Sequence, residues 1–301
     1  MKRLFILASA AIVALAACTK TEVVYTEAPA EIGFKAFTGA MTKAPVTDAT
    51  FSTEQTMFVY GWNNADKAKY FDPNPTEFAY DNTKTAWDGN TPQYYPATGA
   101  LDFVAFTKAP ETGATNLSYT LTLADNTTAQ HDLMASDYVA GKTKTDGTVT
   151  LPFHHTLSLV QVNFKCTGTN VQIKSVALTN TKQAGTATVT YATATDATEP
   201  TVVWAASGED KTLTNATGAS LTAGAASAEY AYFLAVPEST NDKKLTIEYI
   251  LNGNTFTHPI EIDDAFDPAK KYVFDITIGM AEVLFDATVV DWTPETESPV
   301  I

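Results

Sequence analysis

Four histidines, His131, His154, His155 and His258, are the side chains best suited to bind a transition metal or move a proton near neutral pH. Zinc chemistry asks for closely spaced ligands, as in HExxH or with Cys partners, and neither pattern occurs. His154 and His155 are adjacent, so on a strand they face opposite sides; one is expected to point inward to a backbone carbonyl and the other to water. Asp263, Asp264 and Asp267, in EIDDAFDP, form a tight acidic cluster. A calcium loop needs more oxygens at regular spacing and a glycine at its sharp turn, so this segment reads as a solvated turn opened by Asp267-Pro268. Gly-x-Ser-x-Gly and Walker-type loops are both missing, which removes the common hydrolase and nucleotide-binding readings. No catalytic residue, metal site or cofactor is expected, and the chain reads as a non-enzyme.

Aromatic side chains offer a different chemistry, because Trp62, Trp87, Tyr94 and Tyr95 lie in turn-rich sequence where a sugar-stacking platform could form. Trp62 also ends the alternating run Met57-Phe58-Val59-Tyr60-Gly61-Trp62, which accounts for it as core. Of the two cysteines, Cys166 closes another alternating apolar run and reads as a small buried hydrophobe. Cys18 is different. It follows Leu15-Ala16-Ala17 at the end of an apolar run, Leu4 to Ala17, preceded by Lys2 and Arg3. A charged start, a short apolar stretch and small residues before the cut are the marks of a removable export signal, too short to span a bilayer. The Leu-Ala-Ala-Cys sequence resembles a lipobox, which implies lipidation of Cys18, with each buried methylene contributing about 0.8 kcal/mol of membrane anchoring. Asp is absent just after Cys18, which by resemblance to other lipoproteins points to the outer membrane. With Cys18 lipidated, Cys166 has no partner for an intramolecular disulfide, so packing must hold the fold.

The elements that position these residues are strands. With 301 residues, 45% hydrophobic and 18% charged, the chain can bury a substantial core. Its net charge of −15, deepened by two when Lys2 and Arg3 leave, repels phosphate backbones and argues against nucleic acid as a partner. Arg3 is the only arginine in the sequence. Period-2 alternation is clearest at Val160 to Cys166, Leu245 to Leu251 and Tyr272 to Ile278. Asn252-Gly253-Asn254 between Leu245–Leu251 and Thr255–Ile262 predicts a hairpin. Short strands separated by turns, with no long helical pattern, point to an all-β chain of antiparallel sandwiches. The expected organisation is a signal peptide at 1–17, a polar tether at 18–30, an N-terminal β-sandwich domain at 31–168 and a C-terminal β-sandwich domain at 169–301. The break is set at the Gly168-Thr169-Asn170 turn. The Gly/Ala/Thr-rich stretch from Thr214 to Ala228 reads as a surface loop.

Several ordered segments together carry a family resemblance. They are the lipobox at Cys18, EIGFKAFTGAMTKAP (Glu31 to Pro45), DGNTPQYYPATGALDFVAF (Asp88 to Phe106), LPFHHTLSLVQVNFK (Leu151 to Lys165) followed by VQIKSVALTN, and YVFDITI…ATVVDW (Tyr272 to Trp292). The chain resembles the fimbrillins of Bacteroidetes, the FimA/Mfa-like subunits of type V pili. That resemblance implies two tandem transthyretin-like β-sandwich domains. It also implies a precursor whose first strand, within 31–43, is removed by a protease so that a donor strand from another subunit can fill the groove. The displaced strand would place Ile32, Phe34, Ala36 and Thr38 on one face. The family's cut follows Arg; Thr42-Lys43-Ala44 stands at that place here, which makes Lys43 the expected scissile residue and Ala44 the new N-terminus. Arg and Lys differ in how a protease pocket grips them. Two readings follow: a fimbrial structural subunit, or an uncleaved lipid-anchored surface lipoprotein acting as pilus anchor or glycan-binding adhesin. The implied partners are other fimbrial subunits, outer-membrane lipid through Cys18, and a glycan or protein receptor on a host or bacterial surface. The implied location is the surface-exposed outer membrane, and the fimbrium after processing. The tail Thr293 to Ile301 contains Pro294 and Pro299, which remove ladder donors, so it is a poor full-length donor strand, with Val300 and Ile301 left to anchor one end.

Overall fold

The computed structural model describes residues 29–37, 56–81, 86–89, 91–111, 113–128, 130–216, 218–240, 242–280 and 282–292. Among them are twenty strands and no helix. The first nine are β1 (Phe34–Phe37), β2 (Met57–Asn63), β3 (Thr76–Asp81), β4 (Ala86–Gly89), β5 (Leu101–Phe106), β6 (Ser118–Leu123), β7 (Met134–Ser136), β8 (Val139–Lys142) and β9 (Val149–His155). They are followed by β10 (Ser158–Cys166), β11 (Val171–Thr181), β12 (Ala184–Thr190), β13 (Thr201–Ser207), β14 (Lys211–Asn215), β15 (Ala219–Leu221) and β16 (Ala228–Ala235). The last four are β17 (Lys243–Leu251), β18 (Asn254–Ile262), β19 (Lys270–Ile278) and β20 (Val283–Asp291).

Alternation builds the C-terminal core. In β17, Leu245, Ile247, Tyr249 and Leu251 are buried while the residues between them are half-buried. The β17–β18 hairpin turns on Asn252 and Gly253, with φ of 52° and 79°, the two positive angles that a primed turn requires. The sheet β16-β10-β19-β20 packs on the sheet β14-β11-β17-β18. Val160, Val162, Phe164, Phe274 and Ile276 on one side meet Ile173, Val176, Leu178 and Ile247 on the other. Gly168, at φ 81°, turns the chain from β10 into β11 inside this single core. The Thr214–Ala228 stretch, expected as a loop, contains β15, whose backbone pairs with Val171–Ile173 of β11. Small residues hid it, because Ala and Ser carry no legible apolar period.

The N-terminal core is enclosed by one curled sheet. Its strands run β2-β3-β4-β1-β9-β7-β5-β8, and β2 also pairs with β5, so seven strands form a closed path with β8 attached to β5. Ile32, Phe34, Val59, Phe78, Phe103, Leu151 and Phe153 fill its interior. The other face carries Tyr60, Trp62, Phe106 and Tyr138, which pack on the three-stranded sheet β13-β12-β6. The hairpin β12–β13 thus leaves β11 of the C-terminal core and returns to pair with β6. Two pairings are parallel, β1–β9 and β10–β19, so the sheets are mixed. Parallel neighbours need long crossovers, and both pairs are joined by more than a hundred residues of intervening chain.

Candidate functional site

The segment around β1 is held at both edges by backbone hydrogen bonds. Ile32 N–H donates to the Gln93 carbonyl at 2.8 Å, Tyr95 N–H to the Ala30 carbonyl at 2.9 Å and Val149 N–H to the Gly33 carbonyl at 3.0 Å. Phe34 stands opposite Trp87 of β4 in antiparallel register, and Phe34 to Phe37 run parallel to Val149–Pro152 of β9. β1 is therefore the link that closes the path between β4 and β9. Without it those two strands present unpaired backbone groups along an apolar groove, the condition that draws in another strand.

Side chains define the groove. Ile32 and Phe34 are buried, Ala36 packs partly against the same core, and Lys35 on the opposite face is exposed. The Phe34 ring meets Phe78 edge-on at 4.8 Å and 88°, and Phe103 at 5.1 Å and 82°. Tyr95 lies in the same cluster. Its hydroxyl is buried without a hydrogen-bond partner, and burial, aided by the Asp146 charge, pushes its pKa up to about 12. Three of the four sequence-expected strand positions, Ile32, Phe34 and Ala36, thus face the core. Thr38, Lys43, Ala44 and Cys18 lie outside the described residues.

A second feature escapes sequence reading. Among the described residues β20 is an edge strand joined only to β19, over nine residue pairs from Lys270↔Asp291 to Ile278↔Val283. Phe285 is 51% exposed and its neighbour Leu284 54%, so both faces of the strand present apolar side chains to solvent, and Val289 and Val290 repeat the pattern. An edge with this much exposed apolar surface, interrupted by Asp286 and Asp291, is a template for association. Its alternation is ordinary, and only the packing reveals that none of the described residues covers it. Trp292, directly after β20, is buried instead, in a cluster with Leu123, Leu133, Leu157, Leu159, Leu234 and Val236.

The histidine pair has carboxylate partners that the sequence did not indicate. His155 Nδ1 lies 2.7 Å from an Asp132 oxygen, and the ring stacks on Trp292 at 3.4 Å and 7°. His154 Nε2 lies 2.7 Å from Asp137 Oδ1. The inward and outward split is as expected, with His155 buried and His154 partly exposed, and the carboxylates come from the acidic segment 132–137 that β9 runs beside. The aromatic platform is not assembled. Trp62 and Trp87 are buried, Trp62 donates to the Tyr119 hydroxyl at 2.8 Å, Tyr95 is buried, and Tyr94 alone of the four is exposed, at 44%. Among the described residues no group of three or more His, Cys, Asp or Glu is arranged to hold a metal ion.

Comparison with known proteins fits this geometry. Residues 42–292 match the family model described as fimbrillin-like. The candidate fimbrium subunit Fim1C of Bacteroides uniformis is 32% identical over 216 residues, covering 70% of this chain and 67% of that protein. A candidate cell adhesion protein from Bacteroides uniformis has the same fold, with a TM-score of 0.56 at 22% identity over 87% of this chain and 98% of that one. A fimbrial protein from Bacteroides vulgatus gives 0.55 at 14% identity, over 87% and 99%. The family match runs from β2 to β20 and leaves out β1. The chain belongs to the fimbrillin-like family, a family of fimbrial subunits.

Proposed function

We propose that this chain is a structural subunit of a cell-surface fimbria of the type V pilus kind, exported as a lipoprotein and assembled by donor-strand exchange. In this reading it consists of two tandem transthyretin-like sandwich domains. Cys18 carries the lipid at the outer membrane until a protease cuts after Lys43. The observation that carries the reading is the seat of β1. A short N-terminal strand closes the sheet, buries Ile32 and Phe34, and can be removed without breaking the chain between any other two strands.

β20 supplies the matching donor. Ile32, Phe34 and Ala36 stand at alternate positions of the groove strand, and Val283, Phe285 and Ala287 repeat aliphatic, Phe and Ala at the same spacing. A strand of that pattern can offer a phenyl ring to the place between Phe78 and Phe103, while its backbone pairs with β4 and β9. The partners are then other fimbrial subunits. The tail beyond Trp292, with its two prolines, is not required as the donor.

A second reading, an uncleaved lipid-anchored lipoprotein serving as pilus anchor or glycan-binding adhesin, is favoured by one residue. Lys43 stands where an arginine-requiring protease needs a guanidinium fork. N-terminal sequencing of the protein taken from the cell surface separates the two: Ala44 at the mature end supports the fibre subunit, and a lipid-modified Cys18 on all the protein overturns it in favour of the anchor.

A further inference from the structure

We propose that the stack of His155 on Trp292 is a latch that keeps β20 on its own chain. The inference rests on reading β20 as a donor strand. Along 283–291 every side chain is exposed except Val283, which is half-buried, so the strand is held chiefly by its ladder to β19 and by the exposed ion pair of Lys270 with Asp291. Trp292 is the buried anchor at its end, 7% exposed, with its backbone N–H donating to the Ala269 carbonyl at 2.8 Å. A single seated indole against a row of solvated side chains is an arrangement in which one contact governs whether the strand stays.

The socket is built to hold one ring plane. His155 is 1% exposed and lies almost parallel to the indole, and Asp132 fixes its orientation through Nδ1. Asp132 buries its other oxygen, Oδ1, without a hydrogen-bond partner, a cost that marks a side chain held in place for more than solvation. The leucines around the indole form a separate cluster that draws Leu123 and Leu133 from the N-terminal side and Leu159 and Leu234 from the C-terminal side. His155 is also the last residue of β9, the strand whose other end pairs with β1. The latch therefore sits on the strand that also pairs with β1.

Hydrogen exchange read by mass spectrometry on the uncleaved chain tests this. In Trp292→Leu, and independently in His155→Asn, the amides of β20 are expected to exchange about tenfold faster or more, while those of β17 keep their protection. Unchanged β20 exchange in variants that keep β17 protected overturns the latch. Should Trp292→Leu lose β17 protection through misfolding, His155→Asn, which keeps the indole, decides alone; if that too loses it, the stack is a general core contact and the latch is overturned. Assembly is followed in parallel after cleavage. Faster β20 exchange with no polymer from any form supports the latch and overturns the fibre reading; equal exchange with normal polymer does the reverse.

Discussion

Replacing Phe34 by Ala removes the ring that β1 inserts between Phe78 and Phe103. The side chain is fully buried, so its loss carries both the transfer term and a cavity, together about 3–5 kcal/mol for Phe→Ala in a packed core. β1 itself spans four residues, and besides this ring its seat rests on the backbone ladders at its two edges and on Ile32. For a unit of this size each kcal/mol corresponds to roughly 2–4 °C, so the melting temperature of the uncleaved chain is expected to fall by roughly 6–20 °C. Thermal unfolding followed by circular dichroism measures the shift, and a form that begins at Ala44 provides the reference. The reasoning predicts that Phe34→Ala moves the uncleaved chain toward that reference. A shift below about 2 °C would refute it, since a fully buried ring of the closed sheet cannot be that cheap to lose.

Further outcomes follow from other parts of the molecule. Asp102 is fully buried and accepts hydrogen bonds from Asn64 at 2.6 Å, Lys67 at 2.5 Å, Tyr138 at 2.8 Å and Gly141 N–H at 3.0 Å. Asp102→Ala leaves those donors behind and is expected to cost about 3–5 kcal/mol by denaturant titration. Burial holds the phenols of Tyr60, Tyr119, Tyr138 and Tyr191 above their ordinary range, and Tyr95 is pushed up to about 12. A folded pKa above the unfolded value means that the stability these groups contribute is complete below about pH 10 and lost as pH rises beyond it. Unfolding should therefore begin above about pH 10, with phenolate absorbance rising in step with loss of β signal; full tyrosine ionisation in a still-folded chain would contradict it. At the proposed processing point, Lys43→Ala should block maturation and Lys43→Arg should quicken it, as read by N-terminal sequencing.

What the sequence makes legible follows from local periodicity. Val160 to Cys166, Leu245 to Leu251 and Tyr272 to Ile278 are strands because alternation survives wherever one face is buried and the other wet. The inward set Ile32, Phe34 and Ala36 is legible for the same reason. Long-range pairing is not. That β12 leaves the C-terminal core to pair with β6, or that β1 lies parallel to β9, depends on contacts between residues far apart in the chain, which no local pattern encodes. The exposure of β20 is equally hidden. VLFDATVVD has the composition of a buried strand, and only its position at an uncovered edge turns it into a surface. Trp292 and His155, 137 positions apart, meet only because β9 and β20 end at the same junction.

Conversion of a monomer into a fibre subunit by loss of β1 is tested most directly by limited proteolysis at Lys43 followed by negative-stain electron microscopy and gel analysis of the product. Fibres or detergent-resistant ladders after the cut, abolished when Phe285→Asp removes the apolar ring of the proposed donor, are the predicted result. A chain cut cleanly after Lys43, with β1 gone, that remains monomeric at high concentration would contradict it.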